Sequence, residues 1–252
     1  MNVKQVAAVI FDLGGTLEEV IIDPEVRRKA VPGFRAAALS RGISLTGSNA
    51  SLLGKLEKGM LAYKQWKERY MIELSPEMVF SRFIFPEEFF PSVQSDAWDE
   101  LALYFETNFY RRYMRPEVPR VLEELAERGV HIALISNIIT KSYVHQQLEA
   151  YGISSYFSVV ATSAECRKRK PDPLMFRETA RKLGVPVELA MYVGDTISRD
   201  IAGAKRSGYG VTVQIASQMT AFSDDGYDRC QPDLQIDHLD ELLDHIPGGT
   251  DK

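Results

Sequence analysis

Cysteine is nearly absent from this chain: its 252 residues include only Cys166 and Cys230. Two thiols cannot build a disulfide framework, and neither sits in a Cys-x-x-Cys or Cys/His pattern for zinc. A reducing, cytoplasmic setting is expected, with both thiols as small buried or half-buried side chains. Long apolar runs are also missing, since none approaches the roughly 20 residues that span a bilayer. The start, Met1-Asn2-Val3-Lys4-Gln5, leads into a short apolar stretch rather than a basic region and a cleavage site. There is no excess of basic charge, because 30 Lys and Arg face 35 Asp and Glu for a net charge of -5. That excludes the electrostatic footprint of a nucleic-acid or anionic-membrane binder and leaves a small molecule or a protein as partner. No internal repeat or low-complexity tract occurs, and only 247–252 read as frayed.

What is present is an ordinary globular composition, 45% hydrophobic, long enough for a large domain or a domain plus a smaller one. From about residue 115, short β-branched runs alternate with longer helical stretches, which predicts a parallel sheet covered on both faces. Strands are expected at 130–135, 157–161, 190–193, 210–213 and 234–236, with helices at 116–128, 139–151, 173–183 and 198–207. Gly129, Gly152, Gly184 and Gly208 stand where those helices should stop. The first strand, 6–11, is apolar throughout and should lie near the middle of the sheet, buried on both sides.

Residues from about 24 to 112 show no strand pattern and read as amphipathic helices at 26–41, 55–74, 76–85 and 95–113. The fold class is therefore α/β: a doubly wound parallel, Rossmann-like sheet with a second, smaller all-helical domain. The expected boundaries are 1–20 and 114–252 for the sheet domain and 21–113 for the helical one. Leaving the carboxyl end of the first strand, where open parallel sheets bind ligands, the insertion is placed to act as a lid. Its aromatics, including Tyr63, Trp66, Phe80, Phe89, Trp98, Phe105 and Phe109, should form its own core.

Four distant segments carry chemistry. Asp12 ends the first strand and precedes Gly14, Gly15 and Thr16, so its carboxylate should stand in a cradle of backbone N–H groups at Gly15 and Thr16. Such a carboxylate suits a nucleophile or a metal ligand, although a strand-end aspartate also simply caps a turn. Ser136 and Asn137 close another strand with a hydroxyl and an amide suited to phosphoryl oxygens, or to a helix cap. Lys170 precedes Pro171-Asp172-Pro173 in a basic run that would ordinarily be a solvated face. Asp195 ends a further strand and could join Asp12 in holding Mg²⁺, while Asp200 opens the next helix, where an acid also favours the dipole.

In this order and spacing the segments resemble the haloacid dehalogenase-like hydrolase superfamily, over essentially the whole chain, with a helical cap inserted after the first strand. The resemblance implies that Asp12 attacks phosphorus to give an aspartyl-phosphate. It also implies one Mg²⁺ held by Asp12, the Gly14 carbonyl and Asp195. Ser136, Asn137, Gly15 and Thr16 would contact the phosphate, Lys170 would neutralise charge on nucleophile and phosphate, and Asp200 would orient Lys170 or metal-bound water. The expected substrate is a small phosphorylated metabolite.

One part is missing. Where phosphatases of this plan carry a second aspartate, the general acid and base, this chain has Gly14. Positioned acid–base catalysis contributes about 10² to 10⁴ in rate, so a slower or leaving-group-selective enzyme is expected. Glu18 and Glu19 follow closely; as charged residues outside an apolar pattern they are expected to be exposed in a turn, the alternative being that they reach inward. Other readings remain open: a catalytically weak relative that binds a phosphate ligand or a protein partner, a metal-free dehalogenase, or a phosphonatase with a cap lysine. Lys55, Lys58, Lys64 and Lys67 are the lysines available for the last, and no local pattern singles one out from a solvated helix face.

Overall fold

The computed structural model describes residues 6–88, 90, 93–218, 220 and 230–246. Ala8–Phe11 form β1, and all four side chains are buried. Successive residues of a strand point to opposite faces. Accordingly Val9 and Phe11 join one core cluster, and Ala8 and Ile10 join another.

Beyond Asp12 the chain turns into β2 (Glu18–Ile21) and a helical insertion of α1 (Pro24–Leu39), α2 (Asn49–Tyr70), α3 (Pro76–Val79) and α4 (Ser95–Asn108). It returns through β3 (Arg111–Met114), antiparallel to β2. The remainder alternates: α5 (Val118–Glu127), β4 (His131–Ser136), α6 (Tyr143–Ala150), β5 (Val159–Thr162), α7 (Ser163–Cys166) and α8 (Pro173–Leu183). Then come β6 (Ala190–Gly194), α9 (Ala202–Ser207), β7 (Val211–Ile215) and β8 (Leu234–Ile236). The main sheet has the order β5-β4-β1-β6-β7-β8 with every pairing parallel. Helices α5 and α6 cover one face, with Val121, Leu125 and Val144; α8 and α9 cover the other, with Met175, Phe176 and Ala204. This is the expected doubly wound α/β architecture, with β1 at its centre.

The insertion has its own core, in which Phe34 meets the rings of Phe80, Tyr104 and Phe109 at 6.0, 6.1 and 5.7 Å between centroids. Polar contacts, some of them buried, tie it to the sheet domain. Glu73 accepts hydrogen bonds from Tyr63, Ser163 and Arg169, and Asp99 accepts from Thr140, the Lys141 N–H and Ser142.

The structure corrects several expectations. The helix predicted to reach 113 stops at Asn108, because Arg111–Met114 pair with Glu18–Ile21, far away in the chain. That pairing creates a strand pair in a region expected to be all-helical. Helix α2 begins earlier than predicted, at Asn49, since the Ser48 hydroxyl accepts from the Ser51 N–H, and it ends at Met71 in a left-handed turn. Helix α6 starts at Tyr143 rather than 139, the preceding loop being bonded to Asp99. All four predicted helix-stopping glycines have positive φ. Cys166 is exposed rather than buried. Phe89 and 247–252 lie outside the described residues.

Replacing Phe34, which is fully buried, should open a cavity in the insertion's core. Phe34→Ala is expected to lower the unfolding free energy by about 3 to 5 kcal/mol, measured by urea denaturation; a loss under 1 kcal/mol would contradict this packing.

Candidate active site

In the parallel register Phe11 stands level with Leu134 of β4 and Val193 of β6. The carboxyl ends of the three central strands therefore reach the same edge of the sheet, where open parallel sheets bind ligands. Asp12, Ser136 and Asp195 leave the sheet there, all buried.

Lys170 reaches this edge from the loop before α8. Its backbone is clipped to the end of β4: the Asn137 Nδ2 donates to the Lys170 carbonyl at 3.1 Å, and the Lys170 N–H donates to Asn137 Oδ1 at 2.9 Å. The Asn137 side-chain amide thus holds the lysine's backbone in place. Lys170 Nζ lies 2.7 Å from Asp12 Oδ1 and 2.6 Å from Asp200 Oδ1, and donates to the Ile135 carbonyl and the Tyr192 hydroxyl, each at 3.0 Å. Asp200 is fixed in turn by the Tyr192 hydroxyl at 3.0 Å, the Thr196 N–H at 3.1 Å and the Thr196 hydroxyl.

Asp12, Asp195 and Asp200 each place a carboxylate oxygen within 4.8 Å of the others. Three like charges so close and so buried shift one another. Burial pushes Asp195 up to about 8, helped by the charges of Asp200 and Asp12. Burial also raises Asp12 to about 6, against the pull of Lys170 and with a further push from Asp200. Asp200 is held below its ordinary value; burial acts against this, but Lys170 and Arg199 outweigh it. Neither carboxylate oxygen of Asp195 has a hydrogen-bond partner among the described residues, although both are buried. An unpartnered buried carboxylate is costly. Beside Asp12, it suits the hard oxygen ligation of a divalent cation.

At Gly15 and Thr16 the backbone amides bond within the turn. The Gly15 N–H donates to the Glu18 carbonyl at 2.7 Å and the Thr16 N–H to the Leu13 carbonyl at 3.2 Å, so the turn itself uses both amides. Gly15 has φ +88°, and a Cβ there would fall 2.4 Å from Asp195 Oδ2. Glycine at this point admits the Asp195 carboxylate to the back of the turn.

Beside Gly14 lies a buried cluster that the sequence did not reveal. Glu18, expected in an exposed turn, is fully buried. Its carboxylate pairs with Arg112 at 2.6 Å and accepts from the hydroxyls of Tyr143 and Tyr151 at 3.3 and 3.0 Å. Arg112 also pairs with Glu106 at 2.7 Å, while Glu19 pairs with Arg115 at 2.7 Å. A Cβ on Gly14 would lie 3.7 Å from Arg112 Nη1 and 3.8 Å from Glu18 Oε1. The space of the absent side chain is thus bordered by Arg112 and Glu18. Burial raises the Glu106 carboxyl despite Arg112.

These groups enclose a cavity of about 190 Å³, whose lining includes Asp12, Gly14, Ser136, Glu106, Arg112 and Lys170. Of the four candidate lysines of the insertion only Lys67 lines it, while Lys55 pairs with Glu88 at 2.6 Å. Tyr192, Thr196, Glu106 and Arg112 escaped the sequence reading because each sits in an apolar or mixed element where nothing marks the direction of the side chain.

The sequence model of the haloacid dehalogenase-like hydrolases matches residues 55–213. The chain is 31% identical to a glyceraldehyde 3-phosphate phosphatase of Methanopyrus kandleri, over 96% of this chain and 97% of that one. It is 28% identical to a phosphoglycolate phosphatase of Neisseria meningitidis, over 97% and 95% of the two. Its fold resembles the crystal structure of a phosphatase of the same superfamily from Thermococcus onnurineus, with a TM-score of 0.63, 24% identity and 96% and 98% coverage. With its strand-end aspartates and buried lysine at the centre of a parallel sheet, the chain belongs to the haloacid dehalogenase-like hydrolases.

Proposed function

We propose that the chain is a Mg²⁺-dependent phosphatase of small phosphorylated metabolites that works through an aspartyl-phosphate on Asp12. One observation carries this reading: Asp12 is paired with buried Lys170, and the adjacent Asp195 presents two buried carboxylate oxygens without partners. Asp12 attacks phosphorus, Ser136 donates to a phosphoryl oxygen, and Lys170 neutralises charge on both nucleophile and phosphate. Asp200 holds Lys170 in position. Mg²⁺, held by Asp12, the Gly14 carbonyl and Asp195, would supply positive charge against the phosphoryl oxygens when bound. Residues 21–113 act as a cap over the core formed by 1–20 and 114–252, and closure excludes water from the phosphate.

Without an acid at position 14, good leaving groups suffer least. Phosphoryl transfer draws most of its acceleration from positioning and charge neutralisation, and those parts are intact. Glu18 is not a substitute, because Arg112 and two tyrosines hold its carboxylate.

Asp12→Asn should abolish phosphate release from an activated aryl phosphate while the variant stays folded by circular dichroism; undiminished release would remove Asp12 from the nucleophile's role. The space at Gly14 accepts a side chain at ordinary contact, with its nearest neighbour, a Val20 methyl, at 3.5 Å. Gly14→Asp is expected to raise the alkyl-to-aryl phosphate rate ratio by about tenfold or more, read from steady-state kcat/KM; an unchanged ratio would show that this position does not set leaving-group preference.

Cation binding should also show in stability. The folded values of Asp12 and Asp195 lie above their ordinary 3.8, so without cation their stabilisation is lost as pH rises through about 6 and about 8. Asp200, with a lowered value, loses its contribution only on acidification below the carboxylate range. Mg²⁺ should therefore raise the unfolding temperature more at about pH 8.5 than at about pH 5.5, measured by scanning calorimetry. Asp195→Asn should remove the response, and a response that persists in this variant would place the cation elsewhere.

A further inference from the structure

The cavity above Asp12 borders a second one, of about 330 Å³, on the insertion; Lys67, Tyr110 and Arg199 line both. Helix α2 supplies Leu56, Met60 and Leu61 to the wall of this second cavity, and α4 with its C-cap supplies Phe105 and Phe109. Charged groups on the wall are matched to one another: Arg27 pairs with Glu57 at 3.6 Å and Lys64 with Glu68 at 3.9 Å. At the border of the two cavities the Tyr110 ring is held by the guanidinium groups of Arg27 and Arg112, 5.3 and 5.0 Å from its centroid.

Two large apolar side chains of this lining are left open to solvent, Ile22 at 41% and Leu61 at 58% exposure. Apolar surface gathered in a concave site marks a place where a ligand is bound. An apolar cavity of about 150 Å³ suffices for benzene, so this one has room for a ring with substituents. The residue at position 14 bears independently on the same question. With glycine there, the leaving group departs without a proton from that position. As the bond from Asp12 to phosphorus forms and the ester P–O bond breaks, the leaving oxygen keeps the electron pair. A phenolate, whose conjugate acid has a pKa of about 10, can leave in that form, whereas the far more basic alkoxide requires an acid.

We infer that the second cavity receives the leaving group of the substrate, and that this group is a phenol: the substrate is an aryl phosphate whose ring packs against Leu56, Met60, Phe105 and Phe109. The inference rests on the phosphatase reading for where the phosphate sits.

The test uses Asp12→Asn protein in Mg²⁺ buffer, so that affinity is read by calorimetry without turnover. The probes are 2-naphthyl phosphate, phenyl phosphate and glycerol 1-phosphate. 2-Naphthyl phosphate should bind about tenfold or more tighter than glycerol 1-phosphate, the scale of burying one apolar side chain, with phenyl phosphate between them. Adding Met60→Gln or Leu61→Asn sets polar atoms against the ring and should cut that ratio several-fold, in variants shown to be folded by circular dichroism. Should Met60→Gln fail to fold, Leu61→Asn, at an exposed side chain, carries the test. Equal affinity for the three ligands, tightest binding of glycerol 1-phosphate, no binding by any, or a ratio unmoved in the folded variants would overturn the inference. Turnover is read separately with the unsubstituted protein and 2-naphthyl phosphate: no hydrolysis together with an intact binding order overturns the catalytic reading and upholds the cavity as a site for an aryl phosphate.

Discussion

The buried ammonium of Lys170 is the interaction on which the site depends. It bridges Asp12 and Asp200 at 2.7 and 2.6 Å and bonds the Ile135 carbonyl at the end of β4. Removing a lysine from water costs several kcal/mol, and ion pairing offsets this only when geometry and added hydrogen bonds are good. Here the geometry is enforced from all sides: Asn137 clips the lysine's backbone, and Tyr192 and Thr196 fix Asp200. The parallel register of β1, β4 and β6 brings these groups to one edge. Among the described residues that converge here, Asp195 has neither carboxylate oxygen hydrogen-bonded, whereas Asp12 and Asp200 both pair with Lys170.

The gap at Gly14 has a second consequence. In its place the structure sets a dense electrostatic cluster: Arg112 between Glu18 and Glu106, with Tyr143 and Tyr151 completing Glu18. Burial works against the Arg112 charge, yet Glu18 and Glu106 outweigh it and keep the guanidinium protonated. Glu18 and Arg112 belong to the strand pair through which the chain enters and leaves the helical insertion. The stalk of the insertion and the space of the missing side chain are thus the same region. Any movement of the stalk would alter the charges that border Gly14 and the cavity.

Much of the fold was legible because its signals are local. An unbroken apolar β1 requires cover on both faces, and the β–α alternation with glycine stops sets out most of the parallel sheet. Helix α8 runs over the predicted residues, Pro173–Leu183, since Asp172 and Pro173 start it and Gly184 stops it. The β2–β3 pair was not legible. Neither Glu18–Ile21 nor Arg111–Met114 alternates cleanly, and only closure of the long insertion makes them partners. Lys67 and Glu18 were hidden for a related reason: whether a charged residue on a helix or turn meets solvent or a cavity depends on what packs against it.

The sequence by itself determined the sheet, the order of the four segments and the identities of Asp12, Ser136, Lys170, Asp195 and Asp200, because these follow from local patterning at strand ends. It also set the loss at Gly14, which is a matter of residue type. Tertiary structure decided that the Gly15 and Thr16 amides bond within the turn, that the Asn137 side chain clips the Lys170 backbone, that Glu18 is locked away, and that Lys67 lines the cavity. Those outcomes depend on contacts between residues far apart in the chain, such as Glu18 with Arg112 and Arg169 with Glu73. Direction and desolvation are set by neighbours in space, and a linear pattern does not encode them.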